Sequence, residues 1–141
     1  MNGAVCIYLA FLCIALLTGV VPARAAHIHQ EKVYQAAWCA QAGGITEYLL
    51  DDGARVDCLT DEYAIEFDFG PKWAESIGQA LYYGIRTGRK PGVVLILENE
   101  HPQFERRLLT VVTFYGISVW IVRSEESKQE RRPFTVTLAI M

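Results

Sequence analysis

Three acids stand in apolar, strand-like surroundings: Asp57 in R-V-D-C-L, and Glu66 and Asp68 in Y-A-I-E-F-D-F. A carboxylate taken out of water needs a counter-charge, a proton or a metal ion. Glu66 and Asp68 are two residues apart, so on one strand they share a face, while Ile65, Phe67 and Phe69 take the other. Hard oxygen donors gathered on one side of an apolar sheet suit Mg2+ or Mn2+. The chemistry such a group supports is phosphodiester hydrolysis. There a carboxylate-held metal activates water and neutralises the charge that develops on phosphate. Lys72 follows Asp68 by four residues, and Gln79 and Tyr83 continue its stripe at spacings of seven and four. A lysine or a second acid near such a metal orients the attacking water. Asp57, Glu66, Asp68, Lys72 and Gln79 are the candidate catalytic set, and Asp57, Glu66, Asp68 and Glu47 the candidate metal ligands.

Plainer readings stand beside these. Asp57 could pair with Arg55, Asp68 could be a solvated edge acid or a helix cap, and Lys72 could simply be exposed. Gln79 and Tyr83 could serve packing alone. Glu66, between Ile65 and Phe67 in mid-strand, is the hardest to explain as surface.

The elements that would position these side chains follow from periodicity and turn signals. Residues 31–42 predict a helix whose apolar stripe is Val33, Tyr34, Ala37 and Trp38, ended by Gly43-Gly44. Residues 45–50 and 54–59 predict two strands around Asp51-Asp52-Gly53, a three-residue hairpin loop with Gly last. In that register Glu47 lies opposite Asp57, on the same face; a two-residue loop would reverse its face. Residues 63–69 predict a third strand, and Gly70-Pro71 opens a helix to about residue 85 with Trp73, Ile77, Ala80 and Leu81 inward. Residues 86–90 read as a basic loop closed by Pro91-Gly92, and 93–97 as a strand buried on both faces. Pro102 starts a helix to about residue 114, with Phe104, Leu108, Val111 and Val112 inward, and 117–122 is a further strand. The order α-β-β-β-α-β-α-β predicts an α/β fold, a meander followed by βαβ crossovers, with helices flanking a mixed central sheet. Residues 124–141 form a charged loop and a tail that alternates like an edge strand.

This ordered set resembles the PD-(D/E)XK nuclease superfamily over residues 34–122. Asp57 would be the acid of its second strand. Glu66-Phe67-Asp68 would be its E-x-K motif, with Asp68 where the lysine usually stands. Gln79 to Tyr83 looks like the Q-x-x-x-Y helix motif of RecB-like nucleases, and Glu47 like the acid some members add before the first motif. The resemblance implies an αβββαβ core, a Mg2+ or Mn2+ cofactor and a nucleic-acid partner, DNA ahead of RNA. Arg86, Arg89, Lys90 and Tyr83 would then contact nucleic acid, with Arg106 and Arg107 as further phosphate contacts. Asp68 would have to serve as ligand or base, or Lys72 reach in from the helix. The alternative is a nuclease fold without catalysis, used as a binding module. A third reading is a small envelope protein whose acids are structural.

Residues 4–21 are almost uninterruptedly apolar, and Ala23 and Ala25 sit at the small-residue positions of a cleavage site. Residues 1–25 therefore read as a secretory signal, which makes the product periplasmic or secreted. No Lys or Arg precedes the apolar run, and at about 18 residues it approaches a membrane span, so an anchor through 4–21 is the other reading. Removal leaves a small domain, residues 26–123 plus the tail, without stable membrane association and compatible with a homodimer. The formal net charge of −3 argues against strong nonspecific binding to nucleic acid. Cys39 and Cys58 remain after cleavage and form either one disulfide or two buried thiols. His27 and His29 read as a frayed terminus or, after cleavage at Ala26, as a copper-chelating one.

Overall fold

The computed structural model describes residues 27–98, 102–124 and 135–137. The expected signal segment, residues 1–25, and most of the tail, 124–141, lie outside the described residues. The chain opens with α1 (Glu31–Gln41), which ends where Gly43 takes a left-handed φ of 67°. Strands β1 (Ile45–Leu49) and β2 (Arg55–Leu59) form the predicted hairpin. Leu50 N donates to Ala54 O at 2.8 Å, and Gly53, at φ 87°, completes the three-residue loop. Thr46 pairs with Cys58 and Tyr48 with Val56, so Glu47 stands opposite Asp57 as the loop length predicts.

Thr60 Oγ1 accepts the Tyr63 amide at 2.9 Å and turns the chain into β3 (Tyr63–Phe69). A single 3-10 turn, Gly70–Lys72 with Pro71 inside it, then leads into α2 (Trp73–Thr87). Strand β4 (Lys90–Glu98), helix α3 (Pro102–Tyr115), strand β5 (Ser118–Ser124) and the short β6 (Thr135–Thr137) follow. Among the described residues the strands form one mixed sheet in the order β1-β2-β3-β4-β5-β6. β1 to β3 run antiparallel, β3, β4 and β5 are parallel through α2 and α3, and β6 returns antiparallel on β5.

The fold is thus α/β, with helices on both faces of the sheet. α1 packs Tyr34 and Trp38 over Cys58, Ile65, Phe67, Val94, Ile96 and Trp120. α2 and α3 pack Ala80, Leu108 and Val112 over Val93, Leu95, Leu97, Val119 and Ile121. β4 is buried on both faces, which is why its apolar run shows no alternation.

Three expectations are corrected. Lys90, Pro91 and Gly92 belong to β4 and pair with Tyr63, Ala64 and Ile65, so the loop is confined to Gly88 and Arg89. Proline is tolerated there because pairing with β5 starts one residue later, at Gly92 and Ser118. Leu81 is exposed, and the buried stripe of α2 runs instead through Ser76, Ala80, Tyr83 and Gly84. In α1, Val33 is exposed, and the buried positions are Tyr34, Gln35 and Cys39.

Gly92 is required by its neighbours. A Cβ there would stand 2.8 Å from Trp120 Cζ3 and 3.1 Å from Ile65 Cγ1. Both partners are fixed in the α1-side core, so the clash has no cheap exit. Gly92→Ala is expected to lower the unfolding free energy by about 1–3 kcal/mol, read from urea denaturation.

Candidate active site

The site forms where β2 leaves β3. Their ladder holds only at Cys58 with Ile65 and Leu59 with Ala64. Beyond it the Asp57 carboxylate replaces the backbone partner: its Oδ2 accepts the Phe67 amide at 2.8 Å. Val56 then turns into a small core with Leu50, Ala64 and Tyr83 instead of facing Phe67. The strands therefore fork, with Asp57 at the crotch and Glu66 and Asp68 along the β3 arm. Gln35 of α1 braces the β2 arm, its Nε2 donating to Asp57 O at 2.7 Å and to Glu47 Oε1 at 3.2 Å.

Glu47 has a φ of 54°, unusual for a non-glycine residue inside a strand. Its Oε2 lies 3.6 Å from Arg55 Nη1 and 3.9 Å from Lys32 Nζ. Arg55 thus serves Glu47, which removes the plain pairing of Arg55 with Asp57.

Glu66 is 5% exposed and Asp68 2%. Glu66 Oε2 and both carboxylate oxygens of Asp68 are buried without a hydrogen-bond partner. Lys72 Nζ stands 3.4 Å from Asp68 Oδ1, an ion-pair distance that does not close into a hydrogen bond, and its ammonium side chain is half exposed. Glu98, at the end of β4, shows how the same fold treats a structural acid. It accepts from Tyr34 Oη at 2.8 Å, from the His29 amide at 3.1 Å and sits 2.8 Å from His27 Nδ1. Burial raises the Glu98 carboxyl, and those donors overcome it, so the net shift is downward. Glu66 and Asp68 lack such donors.

Their proton affinities follow. Burial pushes Glu66 well up, and the neighbouring Asp57, Asp68 and Glu31 charges push it further. Asp57 is raised by burial against the Phe67 amide bond, which favours its charged form, and it shares a side-chain hydrogen bond with Glu66. Asp68 is raised to about 6 by burial, with Lys72 opposing. Glu31, at the first turn of α1, is raised to about 7 by burial and then by Asp68 and Asp57. Lys72 is raised by Asp68, so it is charged at neutral pH.

The remaining expected residues divide. Tyr83 is buried, hydrogen-bonds with Gln79 and lies in the field of Glu66 and Asp57. Tyr83 of α2 thus stands within electrostatic range of the acids, with Gln79 as its hydrogen-bond partner. Arg86 pairs with Asp51, Asp52 and Tyr82, and Lys90 Nζ with Glu62 Oε1 at 2.8 Å. Arg89 is exposed, with its amide on Thr87 Oγ1 at 3.3 Å, and Arg106 and Arg107 are exposed on α3. Cys39 and Cys58 form a disulfide. His27 stacks on Phe69 at 3.5 Å between ring centroids, so it is docked and not frayed.

Two residues escaped the sequence reading. Glu31 reads in sequence only as a helix start, although an acid at that position, four before Gln35, faces the same way. Gln35 interrupts an otherwise apolar helix face, and a polar residue at a core position is a signal of its own.

Among the described residues, no three His, Cys, Asp or Glu side chains already converge as a metal-ligand set. The fit to a divalent cation is one of donor chemistry, buried carboxyl oxygens without partners, and not of a closed coordination sphere. Compared with known proteins, the chain matches no family model, no curated protein and no solved structure.

Raised carboxyls make stability depend on pH. Their folded pKa values exceed the unfolded ones, so the stability they allow is complete near pH 4 and is lost as pH rises. Asp68 and Glu31 lose theirs through about 6 and 7, and Glu66 contributes slope across the whole range to pH 8. In metal-free buffer the unfolding free energy is expected to fall by about 2–4 kcal/mol between pH 5 and pH 8. Glu66→Gln is expected to flatten that slope and to be the more stable protein at pH 8. Urea titrations at each pH measure both.

Proposed function

We propose that this chain is an exported, divalent-metal-dependent nuclease-like phosphodiesterase. The observation that carries the reading is the contrast between Glu98, which three partners satisfy, and Glu66 Oε2 and both oxygens of Asp68, which are buried without a hydrogen-bond partner. Acids left bare at a forked sheet edge suit a cation. Asp57, Glu66 and Asp68 would hold Mg2+ or Mn2+, with Glu31 and Glu47 on the α1 side. The metal would supply an acidified water and charge neutralisation at the phosphate.

The chain's own residues would do the rest. Lys72, charged and half exposed beside Asp68, would face the substrate phosphate or orient the attacking water. Gln79 and Tyr83 would fix Glu66 from α2. Arg89, exposed in the turn between α2 and β4, would steer the nucleic-acid backbone. The ordered elements and the acid, E-x-D and Q-x-x-x-Y pattern support the nuclease resemblance. The apolar segment 4–21 and the disulfide support an oxidising, extracytoplasmic setting. Among the described residues, no helix is long and apolar enough to cross a membrane.

A second reading has its own observation. Arg86 and Lys90, two of the expected nucleic-acid contacts, are bound to acids of the same chain, and Asp68 stands where the resemblance expects a lysine. These favour a nuclease-like fold that binds without cleaving. Calorimetry separates the two: millimolar Mg2+ must give binding heat if the first is right, and none if the second is. Glu66→Gln is expected to abolish Mn2+-dependent cleavage of a labelled DNA with the fold retained; cleavage at the wild-type rate would sink the assignment. Lys72→Ala is expected to lower kcat about 100-fold or more while leaving metal affinity within a few-fold.

A further inference from the structure

Glu31, Gln35 and Cys39 follow at four-residue intervals and form one stripe of α1. Each meets the carboxylate group differently. Glu31 lies in the field of Asp68, Asp57 and Glu47. Gln35 Nε2 bridges Asp57 O at 2.7 Å and Glu47 Oε1 at 3.2 Å. Cys39 is bonded to Cys58, the residue after Asp57 on β2. Gly44 makes room for that bond, since a Cβ there would stand 2.6 Å from Cys58 Sγ and 2.8 Å from Cys39 Sγ.

The β2 arm has few other ties on this side. Its ladder with β3 stops at Cys58, so from Asp57 back to Arg55 it is held by β1, by the packing of Val56 with Leu50, Ala64 and Tyr83, by the Asp57–Phe67 bond and by α1. Clustered acids repel one another while no cation is present. On the α1 side the ties that oppose this are Gln35, which is neutral, and the disulfide, which is covalent.

We propose that α1 is the positioning element of the carboxylate site, and that the Cys39–Cys58 disulfide makes assembly of that site conditional on oxidation. This inference rests on the metal-site reading given above. In the reduced chain the two cysteines are thiols. An external disulfide of the oxidising compartment takes two electrons and two protons from them, becomes two thiols itself, and the Sγ–Sγ bond forms. The chain is then incompetent where it is synthesised and competent after export. Gln35 is a positioning residue that acts through Asp57 and Glu47 and touches no substrate.

The test compares the exported, oxidised protein with Cys39→Ala/Cys58→Ala and with Gln35→Ala, which keeps the disulfide. Mn2+ affinity at pH 7.5 is read by calorimetry. Exchange of the Phe67 amide, donated to Asp57, is read by NMR in metal-free buffer, with core amides of β4 such as Val94 as the reference. Both variants are expected to bind Mn2+ at least tenfold more weakly. Both are expected to lose Phe67 protection at least tenfold while Val94 stays protected. Wild-type affinity and wild-type Phe67 protection in the double variant overturn the proposal. If the oxidised protein binds no Mn2+, the metal reading fails, and the Phe67 exchange alone decides this inference in the same way. If the double variant does not fold, Gln35→Ala decides it: unchanged affinity and unchanged Phe67 protection overturn it.

Discussion

A single hydrogen bond, from the Phe67 amide to the Asp57 carboxylate, sets the shape of the site. A regular ladder would have continued from Cys58 and Ile65 to Asp57 with Glu66 and Val56 with Phe67. The carboxylate instead takes the amide, and β2 peels away. This opens the sheet without leaving the Phe67 amide unpaired. It also explains why Asp57, though buried, keeps a donor that favours its charged form, while Glu66 beside it does not. Everything else in the site is arranged about that fork. Gln35 braces one arm, α2 brings Tyr83 within the field of the acids, and the 3-10 turn after β3 aims Lys72 back at Asp68.

The fork has an energetic cost that the remainder of the molecule offsets. Buried carboxylates without donors are among the more expensive groups a fold can hold. They stand here at the edge of two well-filled layers. On the α1 side, Trp38, Phe67, Trp120 and Tyr63 contact one another edge to face at 5.1–5.7 Å between ring centroids. On the other side, β4 runs under α2 and α3 with both faces dry. The disulfide closes α1 onto β2 at the point where the ladder is shortest. Strain and unsatisfied polarity are thus concentrated in one place, which is the pattern of a site and not of a uniformly weak core.

Much of this was legible in the residues. The α/β order, the three-residue hairpin and the pairing of Glu47 opposite Asp57 follow from turn chemistry and alternation, and the strands bear them out. The two-residue spacing of Glu66 and Asp68 places them on one face, and both prove buried. What was not legible depends on tertiary context. Pro91-Gly92 reads as a loop from composition, yet Trp120, nearly thirty residues later, requires a glycine in that strand. Val33 and Leu81 are apolar but exposed, because the inner positions of their helices went to Gln35, Ser76 and Tyr83. Basic residues at 86 and 90 look free in sequence. Their partners Asp51, Asp52 and Glu62 come from distant turns that only folding brings near.

Lys72 and Asp68 together bear on what chemistry this arrangement permits. In the resembled motif the lysine stands on β3 itself; here the lysine comes from the following turn and the strand position carries an acid. The Asp68 charge raises the Lys72 ammonium above its ordinary value, so at neutral pH it cannot accept a proton. Asp68 thus favours the charged form of Lys72, which suits an electrostatic role in the proposed reaction better than that of a base. The proton of the attacking water, in the proposed reaction, must pass to a carboxyl. With Asp57, Glu66 and Asp68 as the metal ligands of that proposal, Glu31, raised to about 7 by burial, is the nearby carboxyl in the range where a base is both free enough and strong enough to act.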